Sequence, residues 1–151
     1  MTIPTTFDGV VVSISADAPA SYDAAGFADA GVTYTVLGEV LSFPPTGRVY
    51  TDLAYKNLAV RGTRHSKGSY DEPESAMEIG VNRTDAGQVI LKAASTSDDS
   101  FTFKFAHPNG EVDYFQAKVF SFVGAGGDKD TFRSVTANIR IDYQGVVEVA
   151  A

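Results

Sequence analysis

The segment FTFKFAHPNGEVDYFQAKVFSF, Phe101–Phe122, decides the fold class of this chain. Phe101, Phe103 and Phe105 alternate with Thr102, Lys104 and Ala106, the period of a strand with one strongly apolar face. Asn109-Gly110 follows, a pair that tolerates positive φ at both positions, so a two-residue type I′ hairpin turn is expected. The returning run 111–123 is apolar on both faces, with Tyr114, Phe120 and Phe122 set against Phe115, Ala117 and Val119. A strand apolar on both faces must be covered on both. The hairpin therefore raises the question of what covers its second face.

Working outward, the glycine-rich GAGGDKD leads from this hairpin into a last strand, 131–143. Val135, Ala137, Ile139 and Ile141 form its apolar face; Ser134, Thr136, Asn138, Arg140 and Asp142 form its polar face. On the N-terminal side, Met77, Ile79 and Val81 alternate with Glu78, Gly80 and Asn82, another half-buried strand. Between them lies one helix, AGQVILKAAS, with Thr84 or Asp85 available to cap its first amides. Val89, Ile90, Ala93 and Ala94 are its expected buried face, packed over Phe101, Phe103 and Phe105. VTYTVLGEVLSF, 32–43, reads as a strand in which Gly38 marks a bulge or a close backbone approach. Residues 15–31 read as a loop with a single helical turn at Asp23–Phe27, and 46–73 as a long loop without sustained period. The expected architecture is mainly β: one domain, 1–151, an antiparallel β-sandwich or barrel with one short flanking α-helix and a long basic loop.

Composition narrows the function classes. The chain has 151 residues, enough for one self-standing core. It has no cysteine, so neither disulfides nor thiolate metal sites exist. The N-terminus lacks the basic and apolar regions of a signal peptide, and no stretch approaches the ~20 apolar residues of a membrane span. A protein folded in the cytoplasm, with no membrane partner, is expected. The net charge of −7 argues against a nucleic-acid-binding surface. That charge is uneven. Residues 48–67 carry Arg48, Lys56, Arg61, Arg64 and Lys67 against Asp52 alone, a local +4 that leaves −11 on the remainder. An acidic body with one basic segment suits head-to-tail association of copies.

No catalytic pattern emerges. His65 and His107 stand at no metal-ligand spacing and are expected as exposed loop residues. GAGGDKDT joins two strands, so it is neither a P-loop nor a dinucleotide fingerprint, and Asp128 and Asp130 lack the remaining ligands of a calcium loop. The chain is read as a non-enzyme with no cofactor and no metal.

Three stretches resemble one family, the tail tube proteins of long-tailed bacteriophages of the siphophage type and of related tail-like particles such as gene transfer agents. SYDAAGFADAGVTYTVLGEVLSF resembles that family's opening, in which a small-residue segment leads to a strand with Gly38, Glu39, Val40 and Ser42. The basic stretch 46–73 stands where the family has its long loop. The aromatic hairpin, with Asn109, Gly110, Tyr114, Phe115, Val119, Ser121 and Phe122, resembles the family's own. The likeness spans most of residues 20–143; VVVSISADA departs from it.

The resemblance implies a subunit of a non-contractile tail tube, six copies to a ring and rings stacked into a hollow tube in the virion tail. The tube would enclose a tape measure protein, meet terminator and distal tail proteins, and pass DNA without specific binding. Arg48, Lys56, Arg61, Arg64 and Lys67 would then lie between rings. Glu111, Asp113, Ser134, Thr136, Asn138, Arg140 and Asp142 would line the channel, weakly negative so that phosphate is not gripped. The alternatives are another tail component (terminator, head–tail adaptor or contractile-tail tube) or a monomeric β-sandwich binding module. For the module an exposed tryptophan face would be expected, and the chain has no Trp.

Overall fold

A computed structural model describes residues 6–42 and 44–151. The first five residues of the N-terminal segment, and residue 43 at the end of the expected strand 32–43, lie outside the described residues. The chain is mainly β. In order it forms β1 (Val11–Ser15), α1 (Ala24–Phe27), β2 (Thr35–Leu37), β3 (Val40–Ser42), β4 (Val49–Lys56), β5 (Thr63–Asp71), β6 (Glu74–Gly80), α2 (Ala86–Ser95), β7 (Phe101–Ala106), β8 (Val112–Gly124), β9 (Ser134–Ile141) and β10 (Val147–Val149). Eight strands build one antiparallel sheet in the order β2-β1-β7-β8-β9-β6-β3, with β10 added to β8; β4 and β5 pair separately.

The sheet curls into a half-barrel. Its two edge strands, β2 and β3, are consecutive in the chain, separated only by Gly38-Glu39. The expected single strand 32–43 is thus split, and the split brings the two edges of the sheet together. Helix α2 seals this seam. Gln88, 4% exposed, donates its side-chain amide to the Gly38 and Gly80 carbonyls (3.2 and 2.8 Å) and accepts from the Asn82 N–H (2.9 Å). Asp85 caps α2 by accepting from Gln88 N–H (3.1 Å) and also accepts from Gly38 N–H (3.2 Å). These bonds satisfy backbone groups that a broken strand would leave bare. A Cβ at Gly87 would run into the Val36 carbonyl, so only glycine allows α2 this close.

Seam docking also sets the rotation of α2, and the expected face is corrected in part: Ala94 and Ile90 pack on the core as expected, Val89 and Ala93 do not. Gly87, Gln88, Leu91 and Ala94 are buried, whereas Val89 is 55% exposed. Caps and side-chain amide bonds at the first turn outweigh the apolar count of the alternative face. The core beneath joins Leu91 and Ala94 to Ile14, Leu37, Ile79, Phe103, Phe105, Phe115 and Ile139. Phe115 stacks on Phe103 (centroids 5.3 Å) and meets Phe105 edge-on (5.0 Å).

The second face of β8 is answered largely within the chain. The loop expected at 15–31 carries α1, a second helix capped by Asp23, which accepts from Gly26 N–H at 2.7 Å. It lays Phe27 flat on Tyr114 (centroids 5.4 Å, planes 14° apart). The Tyr22 hydroxyl donates to Gly145 O (2.6 Å) and accepts from Gln116 N–H (3.1 Å), tying this segment to the last turn and to β8. A register shift between Val119 and Ser121 then leaves Phe120 largely exposed while Phe122 packs on the core. The hairpin turn also differs from expectation. Among the described non-glycine residues only Glu39 has positive φ, so Asn109 does not. Pro108 presets the first turn residue, Gly110 N–H bonds His107 O (3.1 Å), Gly110 takes φ 96°, and His107 N–H closes onto Glu111 O (2.8 Å). The turn is the three residues 108–110.

The largest correction concerns 46–73. Most of it is not loop but the β4–β5 hairpin, paired from Val49↔Asp71 to Lys56↔Thr63. Val49, Thr51, Leu53 and Tyr55 alternate with Tyr50, Asp52, Ala54 and Lys56 along β4, but β5, which pairs with it, is polar on both faces for most of its length.

Candidate functional site

Among the described residues no three His, Cys, Asp or Glu side chains gather as a metal site, and no helix is long and apolar enough to cross a membrane. What the molecule offers is surfaces, of three kinds.

The first is the arm. Every residue of β4 and all but Gly68 of β5 are exposed. Leu53, Tyr55 and, at the tip, fully exposed Leu58 stand in water on a two-stranded ribbon, a form that is at best marginally stable without something to pack against. The expected basic cluster separates into two groups. Arg48 is no free charge: its Nε donates to Glu72 Oε1 (2.8 Å), its guanidinium reaches Tyr143 O (3.1 Å) and lies 3.8 Å over the Tyr70 ring. The bond to Glu72, itself only 3% exposed, raises the Arg48 pKa further above its ordinary value and anchors the arm's base. Lys67 lies over Tyr50 (4.9 Å). Lys56, Arg61 and Arg64 flank the tip, with no ion pair among the described residues. His65 is exposed as expected and paired with Asp52 (2.8 Å). His107 is not exposed; it is mostly buried against Asp113 (3.0 Å), at the base of the three-residue turn.

The second is the outer face of the sheet. Lys118 pairs with Arg140, Ser121 with Asn138 and Val123 with Thr136, so Thr136, Asn138 and Arg140 project to one face. Asp142 follows by alternation, its N–H bonded to Gln116 O (2.8 Å). Glu74 and Glu78 lie opposite Arg140 and Thr136 on the same face, and Glu74 approaches Arg140 to 3.5 Å. Of the remaining members of the expected lining, Ser134 begins β9 on the face of Thr136 but is buried, and Glu111 and Asp113 are placed elsewhere in the fold. Asp113 pairs with Phe105 and so points to the core face; Glu111 is exposed at the turn; Ser134 is 7% exposed.

The third surface was missed by sequence reasoning. A groove of about 680 Å³ runs between α2 and the ends of β8 and β9. Val89 and Ala93, the residues expected in the core, line one wall, Phe122 and Val135 the other, and Arg83, Lys92 and Arg133 its rim. The signal was present as surplus apolar residues on a helix whose opposite side is already buried.

No known sequence family matches the chain, and no curated protein matches it. Solved structures do. The chain superposes on a component of the anti-feeding prophage (AFP) baseplate with a TM-score of 0.68 at 7% identity, covering 99% of this chain and 98% of that one. It matches the PVC sheath/tube terminator of an extracellular contractile injection system at 0.67 and 10% identity, covering 99% of each. It matches the SPP1 tail tube at 0.65 and 12% identity, covering 98% of this chain and 80% of that one. The fold is that of phage and phage-like tail proteins. At these identities the likeness is one of backbone architecture and carries no residue roles.

Proposed function

We propose that the chain is a structural subunit of the tail tube of a phage or phage-like particle, which closes into rings of six that stack into a tube around a tape measure protein. The tail-protein fold over the whole length supports this reading, and the observation that carries it is the arm. A hairpin of eight and nine residues, exposed on both faces and tipped by Leu58, has apolar side chains that a monomer leaves in water. On a tube fold its natural cover is the next subunit. Its unpaired cations, Lys56, Arg61 and Arg64, complement a body that is acidic overall. Arg48 supports the arm from within the subunit and belongs to its base.

The channel side is assigned to the outer sheet face bearing Thr136, Asn138, Arg140 and Asp142. Glu74, Glu78 and Asp142 outnumber Arg140 and Lys118 there, so phosphate meets weak repulsion repeated around the ring. No enzymatic role, no cofactor and a location in the tail follow from the same reading.

A tube terminator is the second reading, favoured by the match over 99% of both chains to a protein of that description. Negative-stain microscopy and light scattering over a concentration series separate these. Stacked tubes are the expected result, and single rings that never stack point to the terminator. A 16 kDa monomer at every concentration, binding a glycan, overturns both.

A further inference from the structure

We propose that the groove beside α2 receives the β8–β9 connection of a second copy of this chain, with Phe132 as the inserted side chain. The inference rests on the self-assembly reading above and names a contact within it. The groove's walls are apolar (Val89, Ala93, Phe122) and its rim carries Arg83, Lys92 and Arg133, a local +3. Its occupant must therefore present an apolar anchor beside acidic side chains. Among the described residues, the most exposed large apolar side chain beside acidic ones is Phe132. Phe132 is 90% exposed and follows Asp128-Lys129-Asp130, net −1. Thr131 donates its N–H to Asp128 O (3.3 Å) and its hydroxyl to Asp128 Oδ1 (2.9 Å), so the turn is held in shape before any partner arrives. Pre-ordering lowers the entropic cost of docking.

The same molecule's Phe132 does not fill its own groove. Both ends of the connection are fixed: Ala125 N–H bonds Ser134 O (2.9 Å) and Val81 N–H bonds Arg133 O (3.0 Å). Arg133 lines the groove, whereas Phe132 is 90% exposed and does not line it. Insertion is therefore between molecules. Each copy gives one contact and receives one: insertion in one direction builds a closed ring or an open helix, and reciprocal insertion would pair two copies about a two-fold axis. Aromatic side chains seated in desolvated pockets are the residues that dominate such interfaces.

The absence of cysteine makes the test direct. Phe132→Cys and Ala93→Cys, both at exposed positions, are prepared separately and mixed under a mild oxidant. The expected result is a disulfide-linked heterodimer well above the homotypic product of either variant alone. In addition, Phe132→Ser is expected to keep the parent's melting temperature while raising the concentration for half-assembly roughly tenfold or more. Rings or tubes that form without the 132–93 cross-link, or a double variant that links within one chain at high dilution, overturn this contact and leave the tube reading standing. A wild-type chain that stays monomeric throughout overturns both.

Discussion

Glu72 and Arg48 show what one residue's surroundings decide. Arg48 belongs by sequence to a basic cluster with Lys56, Arg61, Arg64 and Lys67, yet only Arg48 meets a buried carboxylate. Leaving Glu72 buried without its partner exposes the full desolvation penalty of its charge. Arg48→Ala is accordingly expected to lower the melting temperature clearly, while Arg61→Ala leaves it unchanged. Equal effects in a thermal melt would contradict the anchor assignment. Asp23 offers a pH-dependent counterpart. Its carboxyl is held below the ordinary aspartate range, first by the Gly26 N–H and then by the Ser21 hydroxyl. A lowered native value means that the cap's contribution is present above the unfolded pKa and is lost as pH falls through the folded one. The Gly26 amide shift, followed by NMR, should titrate with a midpoint below that of an unstructured aspartate peptide; a midpoint at or above the peptide's removes the cap.

At the scale of elements, α2 carries the clearest prediction. Leu91 and Val89 are two residues apart and similar in chemistry, but Leu91 is fully buried and Val89 faces the groove. Leu91→Ala should cost about 2–5 kcal/mol in denaturant unfolding, while Val89→Ala stays near neutral in the monomer. The reverse order would restore the face that periodicity alone suggests. Phe103→Ala, beneath the same core, should cost about 3–5 kcal/mol and impair folding before assembly is tested. Gly87→Ala belongs with these, since its added carbon meets the Val36 carbonyl and must push α2 off the seam between β2 and β3.

For the whole molecule, the arm and the body make opposite demands. The body folds around its own buried core, whereas the arm is exposed along both strands and leaves Leu53, Tyr55 and Leu58 uncovered. Reversing Lys56, Arg61 and Arg64 to Glu should therefore abolish polymerisation without shifting the monomer's melting temperature. Raised salt should weaken assembly of the parent chain in the same direction, because exposed charges are screened over about 8–10 Å at ordinary ionic strength. Light scattering on the two proteins checks both outcomes, and normal tubes from the triple variant would remove the arm's charges from the assembly mechanism.

The sequence by itself determined the β class, the aromatic hairpin, the faces of β9 and the cap of α2. These follow from alternation, from turn residues and from one carboxylate at a helix start, all local properties. It also marked Gly38 as a close approach, which the Asp85 bond explains. Only the tertiary structure decided that β2 and β3 are opposite edges of one curled sheet, because joining them depends on Gln88, fifty residues from Gly38. It decided which face of α2 is core and which is groove, since a helix with apolar residues on both sides has its rotation set by what it docks on. It decided that Asp113 and Arg140 lie on opposite faces of the sheet, a matter of register across three strands. And it turned the loop 46–73 into an arm, because the short alternation of Val49, Thr51, Leu53 and Tyr55 has no apolar counterpart in β5, the strand that pairs with it.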